Sequence, residues 1–248
     1  MFGPERGLIV AMITAVILAG GLGTRLRPVV ADAPKPLAPV AGRPFLEHQL
    51  DYWIDQGVRE FVLSVGYRRE SIMTHFGDAY RGCPIRYAVE EHPLGTGGGV
   101  LLALDLLDCG DESFLLLNGD TFFAVDLAGF DAFHRRHDAD WSFALFRTRE
   151  AGRYMGVEVD GDGRITDLGS RLGIEGALAN GGVYLIRPGA LRAGPWRAGD
   201  KLSLEDDLAP HAFSTGARFY GFESAGRFID IGVPDDYARA ATVLETTV

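Results

Sequence analysis

The sequence predicts a doubly wound α/β domain whose central sheet is mixed but mostly parallel, with helices on both faces and a small antiparallel lobe. Three observations lead to this fold class. Strand and helix patterns alternate along the first half of the chain, which is typical of a mostly parallel sheet. The predicted strands are nearly continuous apolar runs, as in a sheet covered on both faces. The chain has 248 residues, of which 47% are hydrophobic and 23% charged, so it suits a single sizeable core.

The first half of the chain carries most of the predicted sheet. A helix is expected over 45–56, because its apolar residues recur at helical spacing and Gly57 follows as a C-terminal cap. A second helix is expected over 98–107, behind a glycine-rich loop at 94–99. The strands are expected at 14–19, 61–65, 85–89, 114–117 and 141–146.

The second half has shorter segments. Residues 155–159 and 164–168 flank the turn at 160–163 and predict a β-hairpin. A calcium loop is disfavoured there, because no further ligands follow Asp160 and Asp162 at the required spacing. Strands are expected at 181–186 and 228–231, and a closing helix at 235–244.

Composition excludes several classes of protein. The net charge of −10 disfavours a nucleic acid partner, because a polyanion would be repelled. Cys83 and Cys109 are too few for a disulfide scaffold and lack zinc-ligand spacing. The apolar run at 8–20 is too short to span a membrane and leads into a glycine-rich motif, so no membrane insertion is expected. These features indicate a cytoplasmic protein.

The strongest motif is the glycine loop that follows the first strand. Gly20, Gly21 and Gly23 let backbone N–H groups approach an anion, and Arg25 adds a forked cation suited to phosphate oxygens. The dinucleotide fingerprint fails because Leu26 replaces its third glycine, and the Lys of a P-loop is absent. The motif therefore predicts a phosphate cradle, with a plain strand-to-helix turn as the alternative.

Three further residues carry candidate chemistry. Lys35 lies between two prolines that stiffen it, so we expect a second phosphate contact rather than an ordinary solvated lysine. Asp120 and Asp230 each follow an apolar strand, which brings them to the sheet edge where ligands bind. Each of these aspartates alone fits a turn or a helix cap, and the role that the two share, holding one Mg²⁺ from opposite sides of a cleft, is what the family resemblance described next implies.

Taken together, these motifs resemble the sugar-phosphate nucleotidyltransferases. The resemblance covers nearly the whole chain and rests on matches at 20–27, 34–36, 91–98, 118–120, 180–184 and 228–232. Within the family, residues 44–47, 50–53 and 64–67 look closest to the D-glycero-α-D-manno-heptose 1-phosphate guanylyltransferases. Such enzymes transfer a nucleotidyl group from an NTP to an aldose 1-phosphate and release pyrophosphate.

The resemblance implies a Rossmann-like fold and a division of labour along the chain. Residues 13–147 form a nucleotide-binding half, 148–232 a sugar-phosphate-binding half that includes the antiparallel lobe, and 233–248 the closing helix. Arg25, Lys35 and Asp120 are implied in catalysis, and Asp120 with Asp230 in binding Mg²⁺. The implied nucleotide-binding residues are Leu18, Gly20, Gly21, Gly23, Thr24, Arg25, Glu90, Gly95 and Thr96.

The resemblance places a base-reading side chain at Glu90. A carboxylate accepts hydrogen bonds from guanine N1–H and N2–H₂, whereas uracil and thymine suit an amide better. GTP is therefore the expected substrate, with Glu91 as the alternative reader. Gly95 and Thr96 are expected to bring backbone close to the base or ribose, or else to form a flexible loop with Thr96 as a helix cap.

On the acceptor side, the resemblance assigns Asn118, Asn180, Gly182 and Glu205 to the sugar phosphate. Family members commonly carry Glu-Lys before the Asn-Gly motif, where this chain has Ser170 and Arg171. Arg171 can hold a phosphate bidentately. The departure keeps open mannose or glucose 1-phosphate as the acceptor, or a non-catalytic regulatory subunit.

Two expectations lie outside the motifs. His134 and His137 share a predicted helix, and we expect a solvated helix end rather than a metal pair, because no third ligand is visible. A homodimer is expected only because it is the commonest oligomer. The overall hypothesis is an enzyme that makes GDP-heptose for a surface polysaccharide.

Overall fold

The fold was obtained as a computed structural model that describes residues 13–26, 29–30, 33–150, 153–154, 156–169, 174–197 and 199–245. The helices are α1 (Phe45–Asp55), α2 (Arg69–Phe76), α3 (Gly95–Leu104), α4 (Leu127–Arg136), α5 (Pro188–Arg192), α6 (Ala209–Ser214) and α7 (Pro234–Glu245). The strands are β1 (Thr14–Leu18), β2 (Pro39–Val40), β3 (Arg43–Pro44), β4 (Glu60–Val65), β5 (Ala79–Tyr80), β6 (Cys83–Val89), β7 (Phe114–Asn118), β8 (Thr121–Phe123), β9 (Trp141–Arg147), β10 (Glu158–Val159), β11 (Ile165–Asp167), β12 (Leu178–Ile186), β13 (Phe219–Glu223) and β14 (Phe228–Asp230).

Among the described residues, eight strands form the central sheet in the order β13-β9-β12-β7-β1-β4-β6-β5. Strands β7, β1, β4 and β6 are parallel neighbours, and β13 is parallel to β9. Strand β12 runs antiparallel to both of its neighbours, and β5 is antiparallel to β6. The predicted mixed, mostly parallel sheet is thus confirmed.

Hydrophobic cores cover both faces of this sheet. Ile17 of β1 packs with α1, α2 and α4 residues on one face, and its neighbour Val16 packs with α3 and α5 residues on the other. Adjacent residues of a strand point to opposite faces, so strands buried on both sides must be apolar throughout. Each fully buried aliphatic side chain contributes about 1.5–3 kcal/mol. This explains why the apolar runs identified the strands.

Helix α1 forms as predicted. Its stripe of Leu46, Leu50, Trp53 and Ile54 is buried against the sheet. The helix ends before Gly57, whose φ of 106° is disfavoured for residues with a side chain.

Helix α3 begins three residues earlier than predicted, so the expected glycine-rich loop at 94–99 is wrong for most of its length. Glycine is unfavourable inside helices, which is why the pattern indicated a loop. A Cβ placed at Gly97 would lie 2.9 Å from the carbonyl oxygen of Ser203, and one at Gly98 would lie 2.6 Å from that of Asp200. The close packing of α3 against this distant backbone therefore overrides helix propensity.

The predicted hairpin is present as the antiparallel pair β10 and β11. In the turn between them, Asp160 Oδ1 accepts hydrogen bonds from the N–H groups of Asp162 and Arg164, each at 2.9 Å. These bonds are typical of a turn rather than an ion site. Both strands are shorter than predicted, and Met155 lies outside the described residues.

His134 is not at a solvated helix end. Its side chain on α4 is 2% exposed, and its two ring nitrogens lie 2.7 Å and 2.8 Å from the hydroxyls of Ser113 and Ser142. Burial, assisted by Arg187, lowers the pKa of His134 to about 4, so the ring is neutral. The expectation of solvation is wrong because α4 packs this face of its last turn onto β9.

None of the helices within the described ranges is long and apolar enough to cross a membrane.

Candidate active site

A cavity of about 590 Å³ opens where β1 and β7 end. Topology explains its position, because ligands of open α/β sheets bind beyond the carboxyl ends of the strands. The cavity brings together every residue predicted for nucleotide binding, catalysis or metal binding. These lining residues are Leu18, Gly20, Gly21, Gly23, Thr24, Arg25, Lys35, Glu90, Gly95, Thr96, Asp120 and Asp230, and Asn118 lies with them.

The glycine loop forms one wall of the cavity. A Cβ at Gly20 would lie 2.4 Å from Glu90 Oε1, and Gly23 has a φ of 61° beside the stem of Lys35. Both positions therefore favour glycine. Arg25 is exposed and forms no ion pair within the described part of the chain. Its guanidinium is thus available to an anionic ligand.

Asp120 and Asp230 both line the cavity, close enough for their charges to interact. Strand β14 pairs with β8 so that Asp230 lies opposite Thr121, and the N–H of Ile231 donates to the Asp120 carbonyl at 2.9 Å. Burial and the negative charge of Asp120 raise the pKa of Asp230. The backbone thus keeps two mutually repelling carboxylates close together.

This pair fits a Mg²⁺ ion. Among the described residues no cluster of three or more His, Cys, Asp or Glu side chains is arranged for a metal. Mg²⁺ needs fewer, since it is usually held by one or two carboxylates together with water and substrate phosphates. Lys35 Nζ forms an ion pair with Asp120 Oδ2 at 2.8 Å and balances only one of the two charges.

Glu90 lies deep in the cavity and is 9% exposed. Its Oε1 accepts a hydrogen bond from the Ser64 hydroxyl, and its Oε2 accepts one from the N–H of Leu94, both at 3.0 Å. These bonds fix the carboxylate and leave a further acceptor direction on each oxygen. The side chain of Glu91 is 74% exposed and pairs with Arg69 outside the cavity. Of the two adjacent carboxylates, Glu90 therefore lies in the cavity and Glu91 does not.

Gly95 and Thr96 contact the segment at 202–205 as well as lining the cavity. Gly95 has a φ of 74°, and a Cβ there would lie 2.5 Å from the carbonyl oxygen of Leu202. The Thr96 hydroxyl accepts a hydrogen bond from the N–H of Leu204 at 2.8 Å and donates to Glu205 at 3.2 Å. The N-cap residue of α3 is Leu94, whose side chain forms no capping hydrogen bond. Thr96 lies inside the first turn and is therefore not the cap.

Four of the residues predicted for the sugar phosphate lie in the cavity lining or are joined to it by contacts, namely Asn118, Asn180, Gly182 and Glu205. Asn180 donates to the hydroxyl of the fully buried Tyr184 at 2.8 Å, and Tyr184 donates to Glu205 at 3.3 Å. The Glu205 side chain reaches solvent, and desolvation by the surrounding protein raises its pKa. Gly182 has a φ of 69°, and a Cβ there would lie 2.8 Å from Asn118 Nδ2. Asn118 and Thr96 thus link this group to the cavity.

Comparison with known proteins identifies the architecture. The family model described as "Nucleotidyl transferase" matches residues 14–247. The chain belongs to this nucleotidyl transferase family. The D-glycero-alpha-D-manno-heptose 1-phosphate guanylyltransferase of Aneurinibacillus thermoaerophilus is 39% identical, covering 93% of this chain and 98% of the relative. The enzyme of the same name from Campylobacter jejuni is 36% identical, covering 90% and 96%.

A solved structure agrees with this family membership. The crystal structure of HddC from Yersinia pseudotuberculosis complexed with GMP-PN has a TM-score of 0.81 and 31% sequence identity. The match covers 93% of this chain and 99% of that one. The resemblance seen in the motifs is therefore confirmed.

The acceptor side departs from the family pattern at Ser170 and Arg171, and it also contains a lysine that was not predicted. Ser170 and Arg171 lie outside the described residues. Lys201, which sequence reasoning missed, lines the cavity, is exposed and forms no ion pair within the described ranges. Its only sequence signal is its place four residues before Glu205.

Proposed function

We propose that this chain transfers GMP from GTP to D-glycero-α-D-manno-heptose 1-phosphate, giving GDP-heptose and pyrophosphate. The observation that carries the proposal is the position of Glu90, a fixed carboxylate in the same cavity as the glycine loop and the Asp120–Asp230 pair. The two curated relatives bearing this activity in their names support the choice of acceptor.

In the proposed reaction, an oxygen of the sugar phosphate attacks the α-phosphorus of GTP. The bond from the α-phosphorus to the oxygen bridging to the β-phosphate breaks, and pyrophosphate leaves. Arg25 and Lys35 hold the phosphates by charge-assisted hydrogen bonds, which brings two polyanions together in line. Asp120 and Asp230 would hold Mg²⁺, which when bound offsets charge that develops on the transferred phosphoryl group.

Base selection is proposed for Glu90. Its two oxygens accept from guanine N1–H and N2–H₂, two adjacent donors that uracil and thymine do not present. The bonds from Ser64 and the Leu94 N–H orient the carboxylate before the base arrives. The glycine loop, with Leu18, Thr24, Gly95 and Thr96, completes the nucleotide site.

Acceptor binding is proposed for the group around Glu205. Asn180 and Glu205 are the residues proposed to bond sugar hydroxyls, and Asn118 and Gly182 those proposed to allow the sugar to approach the backbone; their mutual contacts support this grouping. Lys201 supplies a cation toward the sugar phosphate, and Arg171 is proposed to add a second. The proposal includes a cytoplasmic location, a homodimer and a product used for a surface polysaccharide.

The test is pyrophosphate release with Mg²⁺ across four NTPs and three acceptors: the heptose, mannose and glucose 1-phosphates. Release with GTP and the heptose 1-phosphate is expected. Preference for mannose or glucose 1-phosphate would replace the acceptor and keep the reaction. Silence across the grid, from folded protein that binds GTP, would favour a regulatory subunit.

A further inference from the structure

Gln49 is a buried polar side chain on the otherwise apolar inner face of α1. It is 1% exposed, and its neighbours Leu46, Leu50 and Trp53 belong to the hydrophobic core. Burying an amide in such a place is unfavourable unless it forms hydrogen bonds. The role of Gln49 is therefore to be sought in the groups that it contacts.

Its amide nitrogen contacts the turn that carries Asp120. Gln49 Nε2 donates to the carbonyl oxygen of Asn118 at 2.9 Å and also to the carbonyl oxygen of Thr121. These two carbonyls flank Gly119 and Asp120, so a single amide group ties both ends of the turn at 118–121. Gln49 Oε1 has no hydrogen-bond partner among the described residues, so the contact uses only the donor end of the amide.

Backbone contacts hold the same turn from other directions. The N–H of Gly119 donates to the Leu18 carbonyl at 3.1 Å, and Asp120 accepts from Ile231. A Cβ at Gly119 would lie 2.3 Å from the Leu18 carbonyl oxygen, so the turn presses closely on the end of β1. Gln49 adds side-chain hydrogen bonds to this turn from α1, a helix that contributes no residue to the cavity lining.

We propose that Gln49 is a positioning residue that holds the Asp120 carboxylate at the distance from Asp230 required for a shared Mg²⁺. The inference rests on the proposed function. Repulsion between the two carboxylates tends to push the turn at 118–121 away from Asp230. Mg²⁺ requires near-ideal ligand distances of about 2.0–2.1 Å, so such a displacement would weaken its binding. Side chains that orient ligands typically change metal affinity about 10- to 100-fold when lost.

The experiment compares Gln49→Met with Gln56→Met. Gln56 follows the same helix, its Oε1 accepts from the N–H of Leu127 at 3.1 Å, and neither residue belongs to the cavity lining. Affinity for a GTP analogue that cannot be cleaved between its α- and β-phosphates is measured with and without Mg²⁺. We expect Mg²⁺ to strengthen binding to the wild type and Gln56→Met, and this gain to fall about tenfold in Gln49→Met. Affinity without Mg²⁺ should stay unchanged.

An equal gain in Gln49→Met and wild type would overturn the proposal, as would an equal loss in both variants. If Gln49→Met does not fold, Gln49→Asn tests the same point, because the shorter amide keeps its polarity and loses its reach. A wild type that turns over without any gain from Mg²⁺ overturns both the metal assignment and the role of Gln49. Failure of the wild type to use the heptose changes the proposed acceptor alone.

Discussion

At the scale of single residues, the orientation of a carboxylate matters more than its presence. Glu90 and Glu91 are adjacent in sequence and chemically identical, yet one lies in the cavity and the other pairs with Arg69 on the surface. Adjacent residues of an extended segment point to opposite sides, and the two hydrogen bonds that Glu90 accepts hold its side chain inside the cavity. A matched pair of variants therefore tests the proposed role of Glu90 in reading the base.

Glu90→Gln should weaken the use of GTP and relax the preference toward UTP. An amide offers one acceptor oxygen where the carboxylate offers two. The loss of transition-state stabilisation should be about 2 kcal/mol, so kcat/KM for GTP should fall roughly thirtyfold. Glu91→Gln should leave the GTP to UTP ratio unchanged. The measurement is kcat/KM for both nucleotides at saturating acceptor. An unchanged ratio in Glu90→Gln would move base reading to another residue.

His134 should make the free energy of unfolding fall in acid. Its pKa of about 4 in the fold lies below the value of about 6.5 for an exposed histidine, so the unfolded chain binds a proton that the folded chain refuses. The stabilisation is complete above pH 6.5 and is lost as the pH falls toward 4, by about 3 kcal/mol. His134→Gln, which can still bond Ser113 and Ser142, should show a shallower decline in urea titrations. Identical slopes would argue against a neutral buried ring.

At the scale of elements, α3 shows how a contact distant in sequence decides local structure. The glycines at its start permit the backbone at 200–204 to approach, and the hydrogen bond from Thr96 to Glu205 joins residues 109 positions apart. The groups proposed to bind the nucleotide and the acceptor are therefore joined through one helix end.

Gly97→Ala should lower stability even though alanine favours a helix by about 1 kcal/mol over glycine. The new Cβ would meet the backbone of Ser203 and the side chain of Leu208, and such overpacking costs about 1–3 kcal/mol. Gly189→Ala in α5 is the control, because a Cβ there meets nothing within 4 Å. Thermal midpoints should fall for Gly97→Ala and hold or rise for the control. A rise in both would refute the packing argument.

Sequence patterns predicted the elements that can be recognised from residues close together in the chain. The apolar strands and the stripe of α1 follow from burial on both sheet faces, and the cavity residues lie in compact motifs. Helix α2 was not predicted, because it buries only Ile72 and Phe76 and starts after Arg68 without a capping bond. Gln49 and Lys201 were missed because their significance depends on what the fold brings beside them.

At the scale of the whole molecule, the two halves of the chain share one sheet. Strand β9 precedes residue 148, yet its strand partners are β12 and β13, which both follow it. Strand β12 in turn connects β9 to β7. The sheet is thus built from strands of both parts of the sequence.

This arrangement predicts one cooperative unfolding transition. Calorimetric and van't Hoff enthalpies should agree, because β7 and β9 of the first half both pair with β12 of the second, so the two halves lose strand partners together. A fragment that ends at residue 147 should lack fixed tertiary structure, since β9 would lose both neighbours. Near-ultraviolet circular dichroism of the fragment checks this. Two separate transitions, or a folded fragment, would show that the halves are independent.

The ion pair between Lys35 and Asp120 means that the cavity carries its own counter-ion. The Lys35 side chain is only 12% exposed, so water solvates its ammonium group poorly, and the Asp120 carboxylate compensates that charge at 2.8 Å. A flexible stem lets the same ammonium turn toward an incoming phosphate. When substrate binds, Lys35 would then leave Asp120 and pair with a phosphate of the substrate. The cost of burying the ammonium charge is thereby met both before and after binding.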